Sequence, residues 1–195
     1  MPLHLESCTF ARMPLRYGSE TCCLVLGDSK YTADIVALRN DPDVNRFIHH
    51  GEFTEDDHER WLISQTNDAL NFVALVHGGF AGTASLYDIE PSVRCQYGRV
   101  VMPPKRRVFA VAIEFLCLSF AFEVLHVAEV YCRVHKDNYP VYDFHLRNGW
   151  KRDSRYDEIA NDVVLQNGMS MSIETWPANF KNAQSILQRL HRKTG

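Results

Sequence analysis

The chain has 195 residues, 46% of them hydrophobic and 23% charged, which fits one globular domain and argues against intrinsic disorder. Its formal net charge of -3 at pH 7 provides no global basic field for nucleic acid. Six cysteines (Cys8, Cys22, Cys23, Cys95, Cys117, Cys132) are too few and too scattered for a disulfide scaffold, and no Cys/His spacing suggests zinc. They read as buried free thiols of a cytoplasmic protein. The most apolar run, Val108–Val127, is broken by Glu114, Glu123 and His126, so no membrane-spanning helix is expected. Met1–Phe10 lacks the basic and apolar regions of a secretion signal.

Residues 1–20 carry Pro2, Pro14 and Gly18 with no sustained period, and read as an arm or short edge strand. Thr21–Leu26 is β-rich and closed by Gly27-Asp28. Lys30–Arg39 reads as a short helix before the Asn40-Asp41-Pro42 break. Thr54 and Asp57 resemble a capping box that opens a helix running to about Asn67 and burying Trp61 and Leu62. A β-meander follows: Phe72–His77, a Gly78-Gly79 turn, Phe80–Tyr87 with a bulge or close approach at Gly82, and Arg94–Met102. Val108–Val124 predicts a long buried helix, Val127–Val134 a strand, and Asn138–Arg147 a helix capped by Asn138 and stopped by Asn148-Gly149. Val163–Gln166 and Met169–Thr175 predict a hairpin about Asn167-Gly168. Residues 177–195 read as a basic helix or tail, which leaves 21–176 as the main domain.

The order β-α-α-β-β-β-α-β-α-β-β implies an α/β fold, a three-layer α-β-α sandwich around a mixed, largely antiparallel sheet. With the residues at its joints, this order resembles the GCN5-related N-acetyltransferase (GNAT) superfamily. Val100–Val134 looks like the family's strand, pyrophosphate loop, long helix and following strand. Asn138–Trp150, NYPVYDFHLRNGW, is similar to the family pattern N-x-x-A-x-x-x-Y-x-x-x-G-F. Leu38–Leu62 looks like the acceptor-side helices of the branch holding ribosomal-protein N-terminal acetyltransferases and the aminosugar N-acetyltransferases of the pseudaminic-acid pathway.

The resemblance implies acetyl-CoA as co-substrate, an amine as acceptor and no metal. It places CoA on Val100, Val101 and Met102 of the splayed strand, on Lys105, Arg106, Arg107, Val108, Phe109 and Ala110 of the loop, and on Asn138. A helix N-terminus suits a pyrophosphate, because its backbone N–H groups are unpaired and its dipole end is positive. Val108 departs from the family's glycine; either the backbone there lies in the α region or the grip on CoA is looser.

Transfer from a thioester to an amine needs a base for the ammonium, stabilisation of the oxyanion and an acid for the leaving thiolate. The family's acid tyrosine falls at His145 here, with Tyr142 one helical turn earlier as the alternative. The strand that often carries the family's basic glutamate has none, leaving Glu90, Asp88, His77 or water. Arg46, Phe47, His49 and Glu52 are the residues expected at the acceptor cleft, with Arg94 a further cation beside it. The adjacent pair His49-His50 reads as surface rather than as a metal site.

The expected function is acetylation of a small-molecule amine, foremost an amino group on a nucleotide-linked deoxysugar. A protein N-terminal acetyltransferase and a catalytically silent binding module are the alternatives. No nucleic-acid or membrane partner is expected, and the oligomeric state stays open, with a homodimer among the options.

Overall fold

The computed structural model describes residues 15–48, 51–66, 68–176 and 178. Nine strands form one sheet: β1 (Arg16–Gly18), β2 (Cys22–Leu26), β3 (Leu70–Val76), β4 (Gly79–Glu90), β5 (Arg94–Val101), β6 (Glu129–His135), β7 (Lys151–Arg152), β8 (Glu158–Ala160) and β9 (Val163–Ser172). Their order is β1-β2-β3-β4-β5-β6-β9-β7, with β8 also on β9. Among these strands only β5 and β6 pair in parallel, joined by a crossover through the helical residues 104–124.

The helices are α1 (Thr32–Asn40), α2 (Glu55–Ser64), α3 (Ala110–Ser119) and α4 (Tyr139–Arg147). Strand alternation divides them between the two faces. Leu24, Phe72, Ala74, Val76, Cys95, Tyr97, Val130 and Cys132 face α3 and α4 in the main core with Ile113, Cys117 and Phe120. Cys23, Val73 and Leu75 face the other way and pack with Ile35 of α1. The architecture is therefore the three-layer sandwich expected, and among the described residues no helix is long and apolar enough to cross a membrane.

Several boundaries differ from the sequence reading. The long apolar helix is three pieces: a 3-10 helix over Pro104–Phe109, α3, and a π-helical turn over Phe120–Val124. Uniform hydrophobicity marks burial but carries no information about helix type. The first hairpin turns at His77-Gly78, both at positive φ, so Gly79 already pairs with Val76. α2 ends at Ser64; its Thr54–Asp57 capping box forms in both directions.

The larger correction concerns Asn167-Gly168. β9 runs straight through them, pairing Arg133 with Gly168 and Val134 with Asn167. The turn lies at Asn161-Asp162, whose φ values of 49° and 60° link Ala160 to Val163. Gly168 answers a different need: a Cβ there would sit 2.5 Å from the Asp153 carbonyl oxygen and 2.6 Å from Tyr156 C. The five described cysteines, Cys22, Cys23, Cys95, Cys117 and Cys132, are free and buried, while Cys8 lies outside the described residues.

Candidate active site

β5 and β6 pair only through Arg94–Glu129, Cys95–Val130 and Gln96–Tyr131. Beyond these residues the two strands part, although β5 continues to Val101 and β6 to His135. The divergence leaves backbone hydrogen-bonding groups on facing edges, an opening that an extended amide-rich chain can enter. At the end of β5, Val101 and Met102 are buried and Val100 is exposed.

The turn after β5 resolves the question posed by Val108. It is a 3-10 helix, no residue in it has positive φ, and the Val108 side chain is 57% exposed. Valine needs no glycine-like conformation there. The cations divide their tasks: Arg107 donates to the Asp43 carbonyl at 3.2 Å, while Lys105 is exposed and Arg106 lies beside Gly79. Phe109 is buried and precedes Ala110, the first residue of α3. Lys105 and Arg106 are the side chains of this turn that could hold a pyrophosphate.

Asn138 occupies the position before α4, yet its side chain makes no capping bond; its carbonyl instead accepts from the Tyr142 amide at 3.1 Å. Of the two acid candidates, His145 is 6% exposed and Tyr142 is half-buried. His145 Nδ1 lies 2.6 Å from Glu114 Oε1. Trp150 Nε1 donates to the same oxygen at 2.9 Å, and Asn148 donates to Oε2. Glu114 is 2% exposed, so a buried carboxylate gathers three donors from α4 and the residues after it. Its bond to Nδ1–H would set the tautomer and ring orientation of His145.

A cleft enclosing about 560 Å³ of free space, part of it open to solvent, lies between α1, α2 and β3–β5. Its chemistry comes from Arg39, Phe53, His58, Trp61, Asn71 and Arg99. Arg99 reaches it through a β-bulge. Thr83 pairs with Val101 and Ser85 with Gly98, so β5 carries one extra residue. Arg99 takes φ 52° there and turns to the α1/α2 face, where regular alternation would have aimed it at the main core. Its guanidinium lies 4.2 Å from the Tyr87 ring centre and donates to Asn71 Oδ1 at 3.2 Å. Ser85 donates to the same oxygen at 2.8 Å.

Arg39 covers the Phe53 ring at 4.6 Å. Burial, and then the Arg99 guanidinium, hold Arg39 below its usual range. Among the described residues no Asp or Glu lines the cleft.

Of the residues expected at the acceptor, Arg46, Phe47 and Glu52 do not line this cleft. Arg46 stacks on Phe47, and Phe47 meets His135 at the end of β6, with ring centres 5.4 Å apart. Glu52 is exposed outside the lining, next to Phe53, which does line it; His49 lies outside the described residues. Arg94 is paired with Glu90 at 2.7 Å. Among the base candidates, Asp88 accepts from the Tyr131 hydroxyl at 3.3 Å and His77 is exposed in the first hairpin turn; neither they nor Glu90 line the cleft.

The solved structure of a GCN5-related N-acetyltransferase from Brucella melitensis superposes with a TM-score of 0.74 at 21% identity, covering 89% of this chain and 85% of that one. Apo FdhC, a nucleotide-linked sugar GNAT, gives 0.72 at 19% identity, covering 91% and 98%. Spermidine N-acetyltransferase from Vibrio cholerae in complex with CoA and spermine gives 0.67 at 15%, covering 79% and 96%. These likenesses show the fold. No curated protein matches the sequence significantly. Residues 26–151 match the model of the acetyltransferase (GNAT) domain, and the chain belongs to that family of acetyltransferases.

Proposed function

We propose that the protein moves the acetyl group of acetyl-CoA onto the amine of an anionic small molecule, a nucleotide-linked amino-deoxysugar. The observation that carries this reading is the pair Arg39 and Arg99 in a cleft whose described lining holds no carboxylate. Two guanidiniums that repel each other in a partly buried wall favour a ligand carrying negative charge. Phe53, Trp61 and His58 add flat surfaces for a base or sugar ring. A polyamine would bring further positive charge to the same wall.

Acetyl-CoA supplies the activated thioester. Lys105 and Arg106 would hold its pyrophosphate, with the edge of β5 at Val100–Met102 and Asn138 along its arm. The β5 wall of the cleft is Arg99, three residues beyond the last residue paired to β6. An amine in the cleft and a thioester between the parted strands therefore meet at β5. His145, oriented by Glu114, protonates the departing sulfur.

The test measures thiol release from acetyl-CoA with nucleotide-linked amino sugars, the corresponding free amino sugars, spermidine and N-terminal peptides. The reading expects turnover with the nucleotide-linked sugars, and a melting temperature that rises with acetyl-CoA concentration. Preference for spermidine would overturn the acceptor class, and absence of any thermal shift at millimolar acetyl-CoA would overturn the donor.

A further inference from the structure

Among the described residues His58 is the one histidine in the cleft lining. The Thr54–Asp57 box fixes the start of α2 and so sets which residues of its second turn face inward. His58 is 2% exposed, stacked on Trp61 with ring centres 5.5 Å apart and edge-on to Phe53 at 6.0 Å. Its Nε2 is buried without a hydrogen-bond partner among the described residues. Unpartnered buried nitrogens cost stability and are rare, so one in the wall of a cleft points to a group that arrives with the ligand.

The surrounding charges favour a neutral imidazole. Arg39 faces His58 from α1, and Arg99 lines the opposite side from β5. Glu59, the next residue of α2, opposes them. Asp57 is engaged with Thr54 and Arg60. Burial first, and Arg39 second, push His58 below its usual pKa. A neutral imidazole beside two cations keeps its lone pair near neutral pH, and an ammonium acceptor must shed a proton before it can attack a thioester.

We propose that His58 is the general base of the acetyl transfer, taking the first proton from the acceptor's ammonium inside the cleft. The proposal rests on the acetyltransferase reading above. His58 accepts one proton, and the freed lone pair of the amine forms the C–N bond to the acetyl carbon. The C–S bond breaks with its electron pair on sulfur. The second proton of the nitrogen passes to water as the amide forms, the sulfur gains one from His145, His145 takes a replacement from water, and His58 returns its own to water. One amide, one free thiol and one net proton result.

The test compares the wild type with His58→Phe, which keeps a ring against Trp61 and Phe53, and with His58→Gln, which keeps a polar group in case the first variant folds poorly. Activity is followed from pH 5 to 9 with the best acceptor, and acetyl-CoA binding by thermal shift. Wild-type kcat/KM should rise with pH through a pKa below histidine's usual ~6.5 to a level region, bounded above where the acid or the ammonium loses its proton. The variants should lose about 10²–10⁴-fold, the usual range for general-base catalysis, with an unchanged acetyl-CoA shift. Their residual rate should climb about tenfold per pH unit across neutrality, because only amine already deprotonated in solution reacts. Variants that keep the wild-type rate and its level region would overturn the base while leaving the transferase standing. A wild type with neither transfer nor an acetyl-CoA shift would overturn both.

Discussion

Replacing Glu114 should destabilise the fold more than any other single carboxylate change outside the surface ion pairs. Glu114 is 2% exposed and receives Trp150 Nε1 at 2.9 Å, His145 Nδ1 at 2.6 Å and the Asn148 amide. Glu114→Ala strands the first two donors in the core, while half-buried Asn148 can turn toward water. At roughly 1–3 kcal/mol per stranded buried group the loss is about 3–5 kcal/mol, which is also the cost of breaking a buried charged pair. For a chain of this length it lowers Tm by about 6–20 °C. Glu114→Gln keeps one accepting oxygen and sets an amide N–H against a donor, so about 1–3 kcal/mol is expected. Urea unfolding followed by tryptophan fluorescence reads both, with exposed Glu158→Ala as the control within about 0.5 kcal/mol. If Glu114→Ala unfolds within about 1 kcal/mol of the wild type, the cluster does not hold α4 to α3 as described.

Gly168→Ala should cost more than about 1–3 kcal/mol in the same assay, because the new methyl meets the Asp153 and Tyr156 backbones, which cannot rotate away. Native protein should leave Cys22 and Cys95 unreactive toward a thiol reagent at pH 8: burial raises their pKa values to about 11 and about 12, so the thiolate is scarce until the chain unfolds. If His145 is the acid, His145→Ala should lower kcat by about 10²–10⁴-fold, and His145→Tyr should retain activity and shift the alkaline limb upward. Full activity in His145→Ala with loss in Tyr142→Phe would move the role to Tyr142.

Much of the topology is legible because its signals are local. The capping box at Thr54, the glycine turn after β3 and the strand–helix–strand from Arg94 to His135 each depend on neighbours in sequence. Asn167-Gly168 misleads because a glycine can serve a turn or a close approach, and only the distant Asp153–Tyr156 segment distinguishes them. The cleft was harder to read. Arg39, His58 and Arg99 lie on three elements, and a bulge that no local pattern announces brings Arg99 to their face. A signal did exist: Asn71, Thr83 and Ser85 place polar side chains on the sheet face that Val73 and Leu75 bury under α1. Arg46 and Phe47 are expected at the acceptor because their segment resembles the family's specificity loop. The Asp43 tie to Arg107 and the Phe47 contact with His135 instead carry that segment across the open end of the β5–β6 gap.

The acceptor's charge is the centre of this account, and one comparison tests it most directly: kcat/KM for a nucleotide-linked amino sugar against the same sugar without its nucleotide diphosphate, in the wild type and in Arg39→Ala/Arg99→Ala. Charge-assisted bonds from two guanidiniums contribute about 1.5–3 kcal/mol each, so the wild type should prefer the linked sugar by about 10²-fold or more. The double variant should lose most of that preference and keep its rate with the free sugar. Equal kcat/KM for the two sugars in the wild type, or a preference that survives removal of both arginines, would contradict the account.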